Sequence, residues 1–324
     1  MPFAGSIFGQ PQQCHSHKVF MRFSVYQETK IGGRKVNQDR MGYSFTRDAL
    51  LLLLTDGMGG HLHGEIAANI AMQTIGSLFQ KNAQPYIKKP ERFLEDAIYA
   101  AHMEIHRYRD VHKLSETPRT TVVACLVQHN SAFWAHCGDS RLYWMRDGQI
   151  LARTRDHSRI ESLIAQGKAD PSERATHPDR NKLFNCLGAT NMPIVELSRR
   201  VSLQAGDVVL LCSDGLWSML PDHVLAKHLQ TSTIVRAVPE LVSTALAIAG
   251  KSSDNVTALA MAWGSDPNMD DSSSSVVTHT LPIGSMTTTI QAPRLRTSDA
   301  ADGFTDADIE RAIAEIRGAI EKNI

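Results

Sequence analysis

The sequence predicts an α+β fold in which sheet packs on sheet with helices outside, and three observations carry that prediction. Apolar runs of strand length recur at Leu50 to Leu54, Thr121 to Val127, Ala132 to His136, Val208 to Cys212 and Val256 to Trp263. These runs come in groups, and amphipathic helical stretches flank the groups instead of alternating with single strands. Strict alternation would have indicated a doubly wound parallel sheet.

Each element follows from local pattern. Residues 1–19 mix Gly, Pro, Gln and His without periodicity and read as a flexible leader; metal binding by Cys14, His15 and His17 is the less favoured reading. After the first strand, Glu65 to Gln80 sets Ile66, Ile70, Ile75, Leu78 and Phe79 on one side of a helix. Pro90 to Tyr108 does the same with Phe93, Leu94, Ala97, Ile98, Ala101 and Ile105, behind a proline suited to a helix start. Pro239 to Ala249 is a third helix, closed by Gly250. The folded unit runs from 20 to 263. Residues 264–302 are rich in Ser, Thr and Asp and read as a low-complexity linker. Residues 303–324 resume helical order, with Ile309, Ile313, Ile316 and Ile320 forming an amphipathic stripe. Two readings of that stripe stand: docking on its own domain, or a dimer or partner contact.

Composition excludes more than it selects. The 34 basic and 34 acidic side chains cancel, so no global field favours nucleic acid or an anionic membrane. Five scattered cysteines, with no CxxC, suit a reducing compartment. The longest apolar run, Ala49 to Leu54, is far short of the ~20 residues of a spanning helix, and a cytoplasmic location is expected.

The aspartates point to chemistry. Asp56 and Asp214 stand where buried strands emerge, each followed by glycine; Asp139 follows a third strand, Asp254 enters the last one, and Asp39 precedes the first. Any one Asp-Gly pair is an ordinary turn. Five carboxylates at core strand ends repel one another unless a cation neutralises them, so the set implies metal. An all-oxygen set, with a backbone carbonyl such as that of Gly57, suits hard Mg²⁺ or Mn²⁺ and not zinc. Two such ions can share one aspartate and activate water for in-line attack on phosphorus. Arg34 offers a planar donor for phosphate oxygens, against the plainer reading of a surface ion pair.

The order of motifs resembles the type 2C family of metal-dependent serine/threonine protein phosphatases, in its bacterial form. The matching stretches are Gly33-Arg34 through Asn37-Gln38-Asp39-Arg40, Asp56-Gly57-Met58-Gly59-Gly60, Arg119-Thr120-Thr121, Gly138-Asp139-Ser140-Arg141, Asp156-His157-Ser158, Ser213-Asp214-Gly215-Leu216-Trp217 and Asp254-Asn255-Val256-Thr257. The resemblance implies a β-sandwich of two antiparallel sheets flanked by helices, with 20–263 as the phosphatase catalytic domain. It implies two Mg²⁺ or Mn²⁺ ions, with a third, weaker one at Asp139 and Asp214. Asp56 would bridge the two ions, Asp214 and Asp254 would hold the first and the Gly57 carbonyl the second, with Asp39 also among the metal residues. Arg34 would bind phosphate, so that Arg34, Asp56 and Asp214 carry catalysis, and Gln38 and Asn255 would stand behind the ligands. Arg159 to Gly188 matches the family's mobile flap. Phosphorylated proteins, including a serine/threonine kinase or its substrates, are the implied partners.

Two positions depart from the family. Gln38 stands where Glu is usual, and Met58 where animal members carry a proposed acid, leaving metal-bound water, His61 or His63 to protonate the leaving group. His157 reads as part of a structural turn and Cys137 as a small buried hydrophobe. Two other classes compete: a non-catalytic phosphoprotein-binding protein, for which Gln38 is the foothold, and a hydrolase of nucleic acid or small phosphate esters, which the neutral charge disfavours.

Overall fold

The computed structural model describes residues 21–58, 63–175, 177–179, 182–264, 275–277 and 286–290. The first strands are Arg22–Lys30 (β1), Asp39–Phe45 (β2) and Ala49–Asp56 (β3), followed by helices Gly64–Asn82 (α1) and Pro90–His112 (α2). Strands Val122–Gln128 (β4), Ser131–Cys137 (β5), Arg141–Arg146 (β6) and Gln149–Arg153 (β7) come next, then Arg159–Ala165 (α3). Two-residue strands Glu196–Leu197 (β8) and Val201–Ser202 (β9) precede Val208–Cys212 (β10). Helices Asp214–Trp217 (α4), Asp222–Thr231 (α5) and Ile234–Ala249 (α6) lead to Val256–Trp263 (β11), and short strands Ser275–Val277 (β12) and Thr287–Thr288 (β13) end the described chain.

Two sheets result, ordered β12-β1-β11-β10-β6-β7 and β13-β2-β3-β4-β5-β8, with β9 also on β5. Neighbouring strands run antiparallel throughout, as the β2–β3, β10–β11 and β1–β11 pairings show. The fold is therefore the antiparallel β-sandwich with flanking helices that the motifs imply.

Side-chain alternation explains the layers. Along β3, Leu50, Leu52 and Leu54 point between the sheets, where they meet Val123, Cys125, Val209, Leu211, Leu259 and Met261. Leu51 and Leu53 point outward and are covered by α1 and α2 through Ala67, Ala71, Ile75, Phe79, Leu94 and Ile98. On the other sheet, Leu210, Cys212, Ala258 and Ala260 face outward onto α5 and α6. A strand buried on both faces needs no polar alternation, which is why Ala49 to Leu54 is a continuous apolar run. Each fully buried leucine stabilises the fold by about 1.5–3 kcal/mol.

Two boundaries differ from the sequence reading. Helix α6 begins at Ile234, not at Pro239, which lies inside it. A proline on the second turn removes one backbone donor, while the earlier start buries Ile234, Ala237 and Val238. The sequence marks 264–302 as linker, yet 275–277 pair with β1, 287–288 pair with β2, and Ile290 is buried. Composition cannot foresee that a strand edge will recruit so short a segment. The leader 1–19 and the amphipathic stretch 303–324 lie outside the described residues. Among those described, no helix is long and apolar enough to cross a membrane.

Candidate metal centre

Strand register gathers the five aspartates at one end of the sandwich. Asp39 is directly opposite Asp56 across β2 and β3. Leu54 pairs with Val123, and Val122 with Cys137, so the chain leaving β5 delivers Asp139 to the same end. Cys212 pairs with Ala258, which sets Asp214, just past β10, beside Asp254, just before β11.

The carboxyls are held in a state that ordinary aspartates avoid. Asp39 and Asp139 are buried, and burial raises the pKa of Asp39, Asp56, Asp139 and Asp214. Neighbouring charges add to this: Asp39, Asp214 and Asp139 push Asp56 up further, and Asp139 and Asp254 do so for Asp214. Asp139 is pushed up to about 7, by burial first and then by Asp156. Asp39 Oδ2 accepts from Ser213 Oγ at 2.8 Å, but its Oδ1 is buried without a partner. An orphaned carboxylate oxygen among mutually repelling carboxyls is what a cation would satisfy. The donor set is all oxygen, so these residues fit Mg²⁺ or Mn²⁺.

The surroundings fix the ligands' backbone. Thr120 Oγ1 donates to the Asp56 carbonyl at 2.8 Å, and Thr121, itself 2.8 Å from that carbonyl through its N–H, joins Ser140 Oγ at 2.7 Å. A Cβ on Gly57 would stand 2.4 Å from the Gly64 carbonyl oxygen, so only glycine lets α1 start against the Asp56 strand end. Asn255 ties the loop before β2 together: its Nδ2 donates to the carbonyls of Ile31 and Val36 at 2.8 and 3.1 Å, and its Oδ1 accepts from Gln38 N at 2.8 Å. Gln38 Nε2 in turn donates to Glu65 Oε2 at 3.2 Å, so a carboxylate stands beside the position where the family usually carries one.

Arg34 is on the rim, its guanidinium gripping both oxygens of Asp254 at 2.8 and 2.6 Å. Burial, which would lower its pKa, is outweighed by this hydrogen bond, and Asp214 and Asp56 add to the rise. His63 begins α1 in the left-handed region and stands 3.9 Å from Glu65. Gly59, Gly60 and His61 lie outside the described residues. Met58, whose N–H donates to the Arg119 carbonyl, has no proton to give.

Sequence reasoning missed a second network one residue behind Asp139. The Gly138 N–H donates to His157 Nδ1 at 3.2 Å, and Asn185 Nδ2 donates to the same nitrogen at 2.7 Å. Asn185 cannot turn over, because its Nδ2 also reaches the Ile194 carbonyl and its Oδ1 accepts from Ile194 N. His157 therefore carries its proton on Nε2, facing Glu196 Oε2 at 3.3 Å. The motif around Asp156 signals this only in retrospect, since Asn185 and Glu196 lie in a stretch without periodicity.

His157, His136 and Glu196 bring ligand-type atoms within 4.8 Å of one another. They do not make a good metal site. With Nδ1 taken up by Gly138 N–H and Asn185, His157 turns its Nε2 proton, not a lone pair, toward Glu196.

Known proteins resolve the class of this arrangement. A family model described as Protein phosphatase 2C matches residues 27–248, more than half of the chain. The chain belongs to the protein phosphatase 2C family. It is 31% identical over 209 residues to the serine/threonine protein phosphatase PstP of Mycobacterium tuberculosis, covering 64% of this chain but only 39% of PstP. It is 28% identical over 229 residues to the serine/threonine phosphatase stp of Listeria monocytogenes, covering 70% of this chain and 90% of stp. The crystal structure of the PstP catalytic domain in complex with two manganese ions matches with a TM-score of 0.64 at 27% identity, covering 76% of this chain and all of that one.

Proposed function

We propose that this protein hydrolyses phosphoserine and phosphothreonine in proteins, with two Mn²⁺ or Mg²⁺ ions held by the aspartate cluster, opposite a serine/threonine kinase. One observation carries the reading: the buried carboxyls at the sandwich end raise one another's pKa, leave Asp39 Oδ1 without a partner, and lie under an arginine on the rim. The bacterial phosphatases it resembles support the substrate class, and PstP with two manganese ions supports the metals.

When bound, the ions supply an activated water and neutralise phosphate charge. Asp56, opposite Asp39, would hold them together with the Gly57 carbonyl and with Asp214 and Asp254 on the adjoining strand ends. Asp139, close enough to raise the Asp214 pKa, suits a third, weaker ion. Arg34 can exchange Asp254 for substrate, because the fork that grips two carboxylate oxygens also grips two phosphate oxygens. Ser213 holds Asp39 in register, and Asn255 clamps the loop that carries Arg34. Met58 leaves leaving-group protonation to solvent at the site.

The test is phosphate release from a phosphothreonine peptide, with EDTA and then with added Mn²⁺ or Mg²⁺, for the parent and for Asp56→Ala. Metal-dependent release that falls by at least about a hundredfold in the variant is expected. A folded parent inactive with both metals on several peptides would refute the phosphatase reading and favour a phosphoprotein-binding role.

A further inference from the structure

The outer edge of β2 is covered by a segment far away in sequence. Thr287 pairs with Phe45 and Thr288 with Ser44, antiparallel to β2. The Thr289 N–H donates to the Tyr43 carbonyl at 2.9 Å, and the Tyr43 N–H donates to Thr289 Oγ1 at 2.9 Å. Threonine side chains thus complete hydrogen bonds that so short a strand could not make with its backbone alone. Ile290 then turns inward, 4% exposed, into the core cluster beneath α1.

Two glycines make room for it. A Cβ on Gly42, in β2, would lie 2.9 Å from Ile290 Cγ1, and a Cβ on Gly76, in α1, would lie 2.7 Å from Ile290 Cγ2. Neither glycine has a positive φ, so neither is required by its backbone conformation. Glycine inside a strand or a helix weakens that element, and here two elements carry one at the same point. The space they leave is filled by a single side chain.

We propose that the β2 edge and the socket between Gly42 and Gly76 are a docking groove for an extended, threonine-rich segment anchored by isoleucine, and that the chain's own residues 287–290 fill it. This is strand addition to a sheet edge, with backbone bonds giving the register and one apolar pocket giving selectivity. The register also sets direction. Ile290 comes beside Gly42, three residues from Asp39, so the latch lies about 10 Å from the carboxylate end. The groove is independent of the proposed catalytic activity, because none of its residues belongs to the metal centre.

Hydrogen exchange on the full chain tests it. In the parent, the Thr289 amide should exchange far more slowly than in an unfolded segment. Ile290→Asp should raise exchange at 287–290, and at the Tyr43 amide, by on the order of a hundredfold, while β3, β4 and β11 stay protected. Gly76→Ala approaches from the domain side: its methyl meets Ile290 and should release the latch with the isoleucine still present. Gly76→Ala combined with Ile290→Ala should then add less than the sum of the single effects, since both changes act on one contact. A Thr289 amide exchanging at the unfolded rate in the parent would overturn the proposal. So would fully additive effects of the pair, or an Ile290→Asp chain whose 287–290 segment stays protected.

Discussion

Two arginine–carboxylate forks of nearly equal geometry serve opposite ends. Arg141 grips Asp156 with 2.8 and 2.7 Å bonds, and both side chains are 2% exposed. Arg34 grips Asp254 with 2.8 and 2.6 Å bonds, but its side chain is 53% exposed and that of Asp254 37%. The buried fork is further locked: Arg141 stacks on Trp217 at 3.6 Å and reaches Tyr143 Oη at 3.0 Å, while Trp217 Nε1 donates to the Asp139 carbonyl at 2.9 Å. No water can replace either partner there. At the rim, solvent competes for both groups, so the fork can open without stranding a buried charge. Bond length does not distinguish a fixed pair from an exchangeable one; burial does.

The largest break should come from Arg141→Ala, which leaves Asp156 buried and unpaired. A loss of about 3–5 kcal/mol in denaturant-melt stability is expected, and a loss below 1 kcal/mol would mean the fork is not needed for the fold. Asp139 sharpens the contrast, because it is buried near Asp156 without a cation of its own. Its folded pKa, about 7, lies above the unfolded value near 4. Its contribution to the metal-free protein is therefore fully present below about pH 4 and lost progressively as pH rises from there through 7. In EDTA, Asp139→Asn should be close to neutral at pH 4 and stabilising by on the order of 4 kcal/mol at pH 8. An effect independent of pH would show that Asp139 titrates normally. Arg34→Ala should change stability by less than about 1 kcal/mol, yet raise KM for phosphopeptides about tenfold. A fall in kcat alone would place Arg34 in the chemical step instead. The smallest effect is expected from Gln38→Glu, which sets two carboxylates side by side with Glu65. Mn²⁺ affinity, read by calorimetry, should rise a few-fold if residue 38 faces the ions and stay unchanged if Glu65 already fills that role.

The carboxylate end was legible because chemistry and periodicity coincide there. Asp56 and Asp214 end strands that are apolar on both faces, so the sequence marks strand and ligand together. β1 and β6 were not read as strands: Arg22–Lys30 mixes polar and apolar residues without a run, and Arg141–Arg146 offers only the short run Leu142 to Met145 between two arginines, so their pairing with β11 and β10 is what makes them plain. The same holds for the network behind Asp139. His157 was visible as a motif residue, but its role depends on Asn185 and Glu196, whose positions only tertiary contact determines. Arg34 was read as a phosphate donor against the plainer reading of a surface ion pair, and that the pair would be with Asp254 could not be seen across more than two hundred residues.

The pairing of β1 with β11 bears on how the protein is made. Phe23 lies opposite Trp263 and Lys30 opposite Val256, so the first described strand has its central neighbour in the last strand of the catalytic unit. Emerging from the ribosome, the chain exposes β1 for the whole synthesis of the domain, and contacts so distant in sequence close slowly. Asp254 arrives with the same late strand, two hundred residues after Asp56. A nascent chain cannot assemble the complete carboxylate set until the segment that carries Asp254 into β11 has been made.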